Sequence, residues 1–280
     1  MNMNMDYRMF LMKTLEEASQ MARDRFGSVT SVTKFGDNNQ VVTEADTEIG
    51  SMIIEAIHQT YPTHNIIDEE AGIIDKQSHY TWVIDPIDGT SNFAQGSPLY
   101  GCMLGLLKDH EPLAGGFALP AFHEIYSAER GKGAYCNQQR VLVQNDKELL
   151  SALVAYGIEG HQEDPSRTRK ECELLAEIIL SCRSVQTSSS VFDAAMMVKG
   201  VYGGFLYQNC KIWDNVAQQI VLEEAGALYT DFFGQPVDYR NPLTKVTKNF
   251  SFCAAPLTLH DQLQHIISTW KKKCAFSSEE

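Results

Sequence analysis

Basic residues are scarce in this chain: 23 Lys and Arg stand against 36 Asp and Glu, a formal charge of −13 over 280 residues. Such an excess of acid repels a nucleic-acid backbone unless the cations are gathered on one face. The densest cationic run, Lys271-Lys272-Lys273, is too short to make such a face, so no nucleic-acid partner is expected. The seven cysteines (102, 136, 172, 182, 210, 253 and 274) are odd in number and scattered, with no C-x-x-C pair. That pattern argues for a reducing compartment and against a disulfide framework. Met1 to Arg8 carries Asp6 and no long apolar core, so it does not read as a secretory signal. No stretch approaches the ~18 consecutive apolar residues of a membrane span. The expectation is a soluble cytoplasmic protein with no membrane association.

Several catalytic signatures are missing too. The eight histidines show neither H-x-x-x-H nor H-x-H spacing, which speaks against zinc. There is no G-x-S-x-G elbow and no Walker-type loop.

What remains is 44% hydrophobic and strongly patterned. Tyr7, Phe10, Leu11, Leu15, Ala18, Ala22 and Phe26 recur at helical spacing and predict a helix stopped by Gly27. A second helix is expected over Glu44–Tyr61, entered at Thr43 with Asp46 in the Glu position of a capping box. Beyond Pro62 short apolar runs predict strands at Asn65–Ile67, Trp82–Ile84, Gly101–Leu107, Pro112–Phe117, Glu124–Ala128 and Ala134–Cys136. From about residue 150 strands and helices alternate to the end, with helices expected at Pro165–Cys182 and from about Trp213 to Ala225 and a further apolar run at Phe250–Ala255. The change of texture predicts two parts, 1–145 and 146–280.

The chemistry concentrates in Trp82-Val83-Ile84-Asp85-Pro86-Ile87-Asp88-Gly89-Thr90-Ser91-Asn92-Phe93. An apolar strand delivers Asp85, Pro86 removes a ladder donor and is expected to stop the strand, and Gly89 permits a tight turn. Two carboxylates three apart repel unless a cation lies between them, and an all-oxygen ligand set favours Mg2+, Mn2+ or Ca2+ over zinc. Alone, the segment reads equally as a Pro-Asp-Gly turn with solvated acids. Two further acidic ends, Asp68-Glu69-Glu70 after a short strand and Asp214 at a helix start, make a two-metal site for phosphate esters conceivable. The helix start behind Thr90 would add N–H donors for a phosphate. Asp193 and Asp231 read as surface or helix-end acids.

The order of Glu-Glu, the twelve-residue motif and the late Trp213-Asp214 resembles the inositol monophosphatase family, within the Mg2+-dependent, lithium-sensitive phosphatases. The resemblance implies an α/β fold, a five-layered α-β-α-β-α sandwich of the kind shared with fructose-1,6-bisphosphatase, forming a homodimer. It implies a phosphomonoesterase with two or three Mg2+ per subunit, Mn2+ as substitute, and Ca2+ and Li+ as inhibitors. It assigns Glu69, Asp85, the Ile87 carbonyl, Asp88 and Asp214 to the metals. It gives Thr90, backed by Asp46, and Glu69 the handling of the attacking water, with Gly89 and Thr90 facing the phosphate. Lys34 lies near the place of a family lysine, but its spacing to Asp46 differs by one residue, and it is left out of the expected site.

Two departures fall in the substrate-alcohol pocket, to which Ser188, Ser189, Tyr207, Asp88 and Asp214 are assigned. Tyr207 stands seven residues before Asp214, where inositol-selective members carry Glu, and Ser188-Ser189-Ser190 replaces the commoner Gly-Ser-Ala or Gly-Thr-Ala. An aromatic wall discriminates by only ~1–3 kcal/mol per group, which predicts tolerance of several esters. The substrate that the resemblance implies is a small polyol or sugar phosphate, such as inositol 1-phosphate. Fructose-1,6-bisphosphatase and histidinol-phosphate phosphatase activities are alternatives. A 3′(2′),5′-bisphosphate nucleotidase is disfavoured by Ser91-Asn92 in place of Lys-Glu. A partner-binding regulatory protein that keeps the fold is the alternative outside enzymology.

Overall fold

Apolar side chains at helical spacing build the first layer. The computed structural model describes residues 6–27, 31–33, 41–144 and 148–276. Lys34 and the residues 145–147 at the expected boundary lie outside them. Helix α1 (Tyr7–Arg25) buries Phe10, Leu11, Leu15, Ala18 and Ala22 on one face. Strands β1 (Ser31–Thr33) and β2 (Val41–Thr43) pair antiparallel and lead into α2 (Glu44–Thr60), which buries Ala45, Ile49, Ile53 and Ile57. Asp46 fills its expected place at the start of α2, where Oδ2 accepts the Thr43 N–H at 2.7 Å.

The next residues form one eight-stranded sheet. It comprises β3 (Asn65–Asp68), β4 (Gly72–Ile74), β5 (Tyr80–Asp88), β6 (Gly101–Lys108), β7 (Glu111–Leu119), β8 (Glu124–Glu129), β9 (Ala134–Cys136) and β10 (Gln139–Val141). Their order is β10-β9-β8-β7-β6-β5-β3-β4, antiparallel apart from β3 beside β5. A five-residue helix, α3 (Thr90–Ala94), follows β5. Pro86 does not stop β5 as the sequence suggested. The pairing with β6 shifts register between Asp85 and Asp88, and this irregularity absorbs the residue that has no N–H to donate.

A second, five-stranded sheet uses β11 (Leu153–Gly157), β12 (Ser184–Gln186), β13 (Tyr202–Cys210), β14 (Leu228–Thr230) and β15 (Phe250–Ala255), in the order β12-β11-β13-β15-β14. The helices between these strands are α4 (Pro165–Ser181), α5 (Phe192–Val198) and α6 (Ile212–Glu224), and α7 (Leu257–Phe276) closes the chain.

Burial sorts these elements into layers. Helices α1 and α2 cover one face of the large sheet through a core that includes Leu15, Ile53, Trp82 and Leu104. Helices α5 and α6 lie between the two sheets, where Met103, Phe117, Val216, Ile220, Phe205 and Phe252 share one core. Leu174 and Ile178 of α4, with Leu259 and Leu263 of α7, close the far face of the small sheet. The result is the expected five-layered α-β-α-β-α sandwich. Gly105 and Gly115, paired across β6 and β7, let α6 lie close on the large sheet. A Cβ on Gly115 would stand 2.7 Å from Ile220 Cγ2 and 3.0 Å from Ala217 Cα. Among the described residues no helix is long and apolar enough to cross a membrane.

Candidate active site

Residues three apart in a regular strand point to opposite faces, so Asp85 and Asp88 should diverge. The irregularity at Pro86 brings them together instead. One carboxylate oxygen from each of Asp85, Asp88 and Asp214 lies within 4.8 Å of the others. Asp214 sits in the first turn of α6 and accepts the Lys211 N–H at 2.6 Å. The three acids thus come from a strand of the large sheet and from the helix packed against it.

Their electrostatics are unfavourable as they stand. Burial pushes the Asp85 carboxyl well above the usual range, and the charges of Glu69, Asp88 and Asp214 push it further. Burial and then Asp214 raise Asp88, against an N–H from Val191 that holds it down. Asp214 is pushed up to about 6, again chiefly by burial. Asp85 Oδ1 is buried without a hydrogen-bond partner, a costly state for a charged acceptor. Clustered carboxylates with an orphan oxygen suit a hard divalent cation. Among the described residues this is the only such acid group that could hold a metal ion.

The remaining expected residues surround this group. Asp85, Asp88 and Asp214 open into a cavity of about 350 Å³ that is also lined by Glu69, Ile87, Gly89 and Thr90. Glu69 stands at the end of β3, where its N–H donates to the Ile84 carbonyl at 3.2 Å. The Thr90 hydroxyl donates to the Ile87 carbonyl at 2.8 Å and lies 3.3 Å from Asp46 Oδ1. Burial pushes Asp46 up to about 6, although Thr43 donates to it twice. Gly89 has φ +78°, and a Cβ there would meet Ser190 Cβ at 2.9 Å, so both conformation and space demand glycine.

That close approach seats the serine loop on the motif. Asn92 Nδ2 donates to the carbonyls of Leu99 and Ser188, both at 2.8 Å. Ser189, at φ +53°, lines the cavity. Ser188 does not line it: its buried hydroxyl faces that of Ser190 at 3.2 Å. Asp193 is a helix-end acid as expected but not a surface one. It is fully buried at the start of α5, takes the Ser188 N–H at 3.2 Å and is pushed up to about 6 by burial.

Tyr207 lines the cavity without being a bare aromatic wall. Its hydroxyl donates to Glu159 Oε1 at 2.5 Å, and burial followed by that carboxylate raises the phenol well above its usual range. Glu159, Arg167 and Lys211 line the same cavity and were not anticipated. The available signal for Glu159 was its place just past the C-terminal end of a strand, where α/β sheets gather ligand sites.

The description "Inositol monophosphatase family" belongs to a family model that matches residues 4–266. A protein of Aquifex aeolicus described as fructose-1,6-bisphosphatase/inositol-1-monophosphatase is 31% identical over 224 residues, covering 78% of this chain and 82% of that one. A Nus factor SuhB of Vibrio cholerae is 31% identical over 224 residues, covering 79% of each. The solved Thermotoga maritima IMPase superposes with a TM-score of 0.83 at 27% identity, over 96% of this chain and 99% of that one. With matches of this extent lying over the acidic motif and the five layers, the chain belongs to the inositol monophosphatase family.

Proposed function

We propose that this protein is a Mg2+-dependent phosphomonoesterase acting on a small polyol or sugar phosphate of the inositol 1-phosphate type. The observation that carries the reading is the buried Asp85–Asp88–Asp214 group with its partnerless Asp85 oxygen. These three acids, Glu69 and the Ile87 carbonyl would hold two or three Mg2+, with Mn2+ as substitute and Ca2+ or Li+ as inhibitors. A cation there supplies Lewis-acid chemistry, neutralising the phosphate and acidifying water near neutral pH. The chain's own residues do the rest. Thr90, within reach of Asp46, and Glu69 orient the attacking water, and the Gly89 and Thr90 N–H groups face the phosphate. Ser189, Tyr207 and the neighbouring wall receive the alcohol, with Ser188 shaping the loop from below. In this proposal residues 1–145 carry most ligands, and 146–280 bring Asp214 and the alcohol pocket. The protein works as a cytoplasmic homodimer with no nucleic-acid partner.

Two relatives' names favour second readings. One couples fructose-1,6-bisphosphatase to inositol-1-monophosphatase, which makes a sugar bisphosphate the alternative substrate. The other is a Nus factor, which makes a regulatory, partner-binding role the non-enzymatic alternative. A panel of inositol, sugar, histidinol and nucleotide phosphates with Mg2+ separates them. Asp88→Asn keeps the side-chain size and an oxygen for the Val191 N–H. It should lower kcat by more than about a hundredfold, since even outer partners of a metal site are worth 10–100-fold. Mg2+ at about 100 times its Kd should stabilise the wild type by about 2.7 kcal/mol and raise its Tm. Near-wild-type turnover by Asp88→Asn, or a Tm indifferent to Mg2+, would overturn the metal reading.

A further inference from the structure

Strands β11 and β13 run parallel, and their register sets Gly157 beside Tyr207. The Tyr207 ring lies across this glycine: a Cβ on residue 157 would stand 2.5 Å from the ring. Glycine at this place is what lets the phenol fold back toward the loop after β11. Its hydroxyl there donates to Glu159 Oε1 at 2.5 Å, and Asn209, two residues further along β13, donates to Glu159 Oε2 at 3.2 Å. Each carboxylate oxygen is held by one donor from the same strand, in a cavity shared with Asp214. Arg167 lines this cavity too, but its Nε–H donates to the buried Glu171 at 2.9 Å. An ionised carboxylate offers about four acceptor sites and no donor. Two are used, which leaves capacity for about two incoming hydroxyls.

We propose that Glu159, positioned by Tyr207 and Asn209, is the specificity-determining residue on the alcohol side of the cavity, selecting phosphate monoesters of polyols over esters whose alcohol bears no further hydroxyl. The inference rests on the phosphatase reading above. It replaces the broad tolerance that Tyr207 suggested in the sequence. A site built to accept substrate hydroxyls discriminates strongly against analogues that lack them. Tyr207 is a positioning residue, and Gly157 is the space it needs.

The test compares kcat/KM for inositol 1-phosphate and glycerol 2-phosphate with kcat/KM for ethyl phosphate, in Glu159→Gln and in Tyr207→Phe. The second variant keeps the ring over Gly157 and removes only the O–H donor. The polyol-to-ethyl ratio should fall about tenfold or more in Glu159→Gln and by a smaller factor in Tyr207→Phe, with the Mg2+-dependent rise in Tm retained in both. Retention of that rise separates a changed alcohol pocket from a damaged fold. A ratio that stays constant in Tyr207→Phe and in Glu159→Gln, even if all rates drop together, overturns this proposal and leaves the phosphatase reading standing. A wild type that hydrolyses none of the three esters with Mg2+ overturns both.

Discussion

His64 sits stacked between Tyr61 and Tyr80, with ring centroids 4.9 and 4.6 Å away. Its Nδ1 accepts the indole N–H of Trp82 at 3.1 Å, which puts the ring's own proton on Nε2. Burial holds its pKa below the usual value, and His260 shifts the same way, chiefly for the same reason. The unfolded chain takes up these protons near the ordinary histidine value of ~6.5, while the folded chain resists them. The unfolded state therefore binds more protons, and this contribution to stability is lost as pH falls below about 6.5. Asp46, Asp193 and Asp214, each pushed up to about 6, pull the opposite way. For them the folded state protonates first, and acidification through about 6 and below is stabilising. The useful measurement is therefore a difference, from which the acids cancel. His64→Phe keeps the stack and leaves the Trp82 N–H unpaired, a pH-independent cost of ~1–3 kcal/mol. The Tm gap between wild type and His64→Phe should narrow from pH 7 to pH 5. A constant gap would show that His64 carries no proton linkage.

The placement of α6 decides where Asp214 points, and two glycines decide the placement of α6. A Cβ on Gly105 would lie 2.7 Å from Val216 Cγ1 and 3.0 Å from the Ala217 nitrogen. Gly115→Ala should therefore cost ~1–3 kcal/mol through overpacking. Because it lifts a helix whose first turn carries Asp214, it should also raise the Mg2+ concentration needed for half-maximal activity. A lower Tm with unchanged Mg2+ dependence would mean that the helix tilts about its start instead. Much at this scale was legible in the sequence. The long helices show in their 3.6-residue pattern, with α4 and α6 expected within a residue or so of where they fall. Ala134–Cys136 and Phe250–Ala255 show as short apolar runs between turns. Elements of three to five residues, such as β4, β10, β12 and α3, hold too few apolar positions to declare a period. The run of β5 past Pro86 was hidden because a local rule about proline was overridden by a register shift that depends on β6. At the site, Asp85 and Asp88 were readable because they end an apolar strand pattern, and Asp214 because it opens an apolar helical one. Glu159 has only its place just past the end of β11 to mark it locally; what directs it to Tyr207 is the pairing of Gly157 with Tyr207, fifty residues apart, which no local pattern encodes.

Across the molecule, the layers do not follow the chain order. The outer face of the large sheet is covered by α1 and α2, which precede it, but its inner face is covered by α6, which comes long after. The sheet's last strand ends at Val141 and α6 ends at Glu224. At ~5–20 residues per second, synthesis of the intervening stretch of about 80 residues takes roughly 4–16 s. During that interval Met103, Phe117 and Tyr126 have no helix over them, and Asp85 and Asp88 face each other without Asp214. The nascent chain is then both sticky on one face and charged at its rim, a state that chaperones hold in a cell and that aggregates in a tube. A chain ended after Gln144 should bind a hydrophobic dye strongly and precipitate, where the full chain does neither. If the truncated chain stays dispersed and dye-silent, the sheet has found other cover. The late arrival of one helix thus makes the interval before release from the ribosome the time of greatest exposure for this protein, well before any substrate meets it.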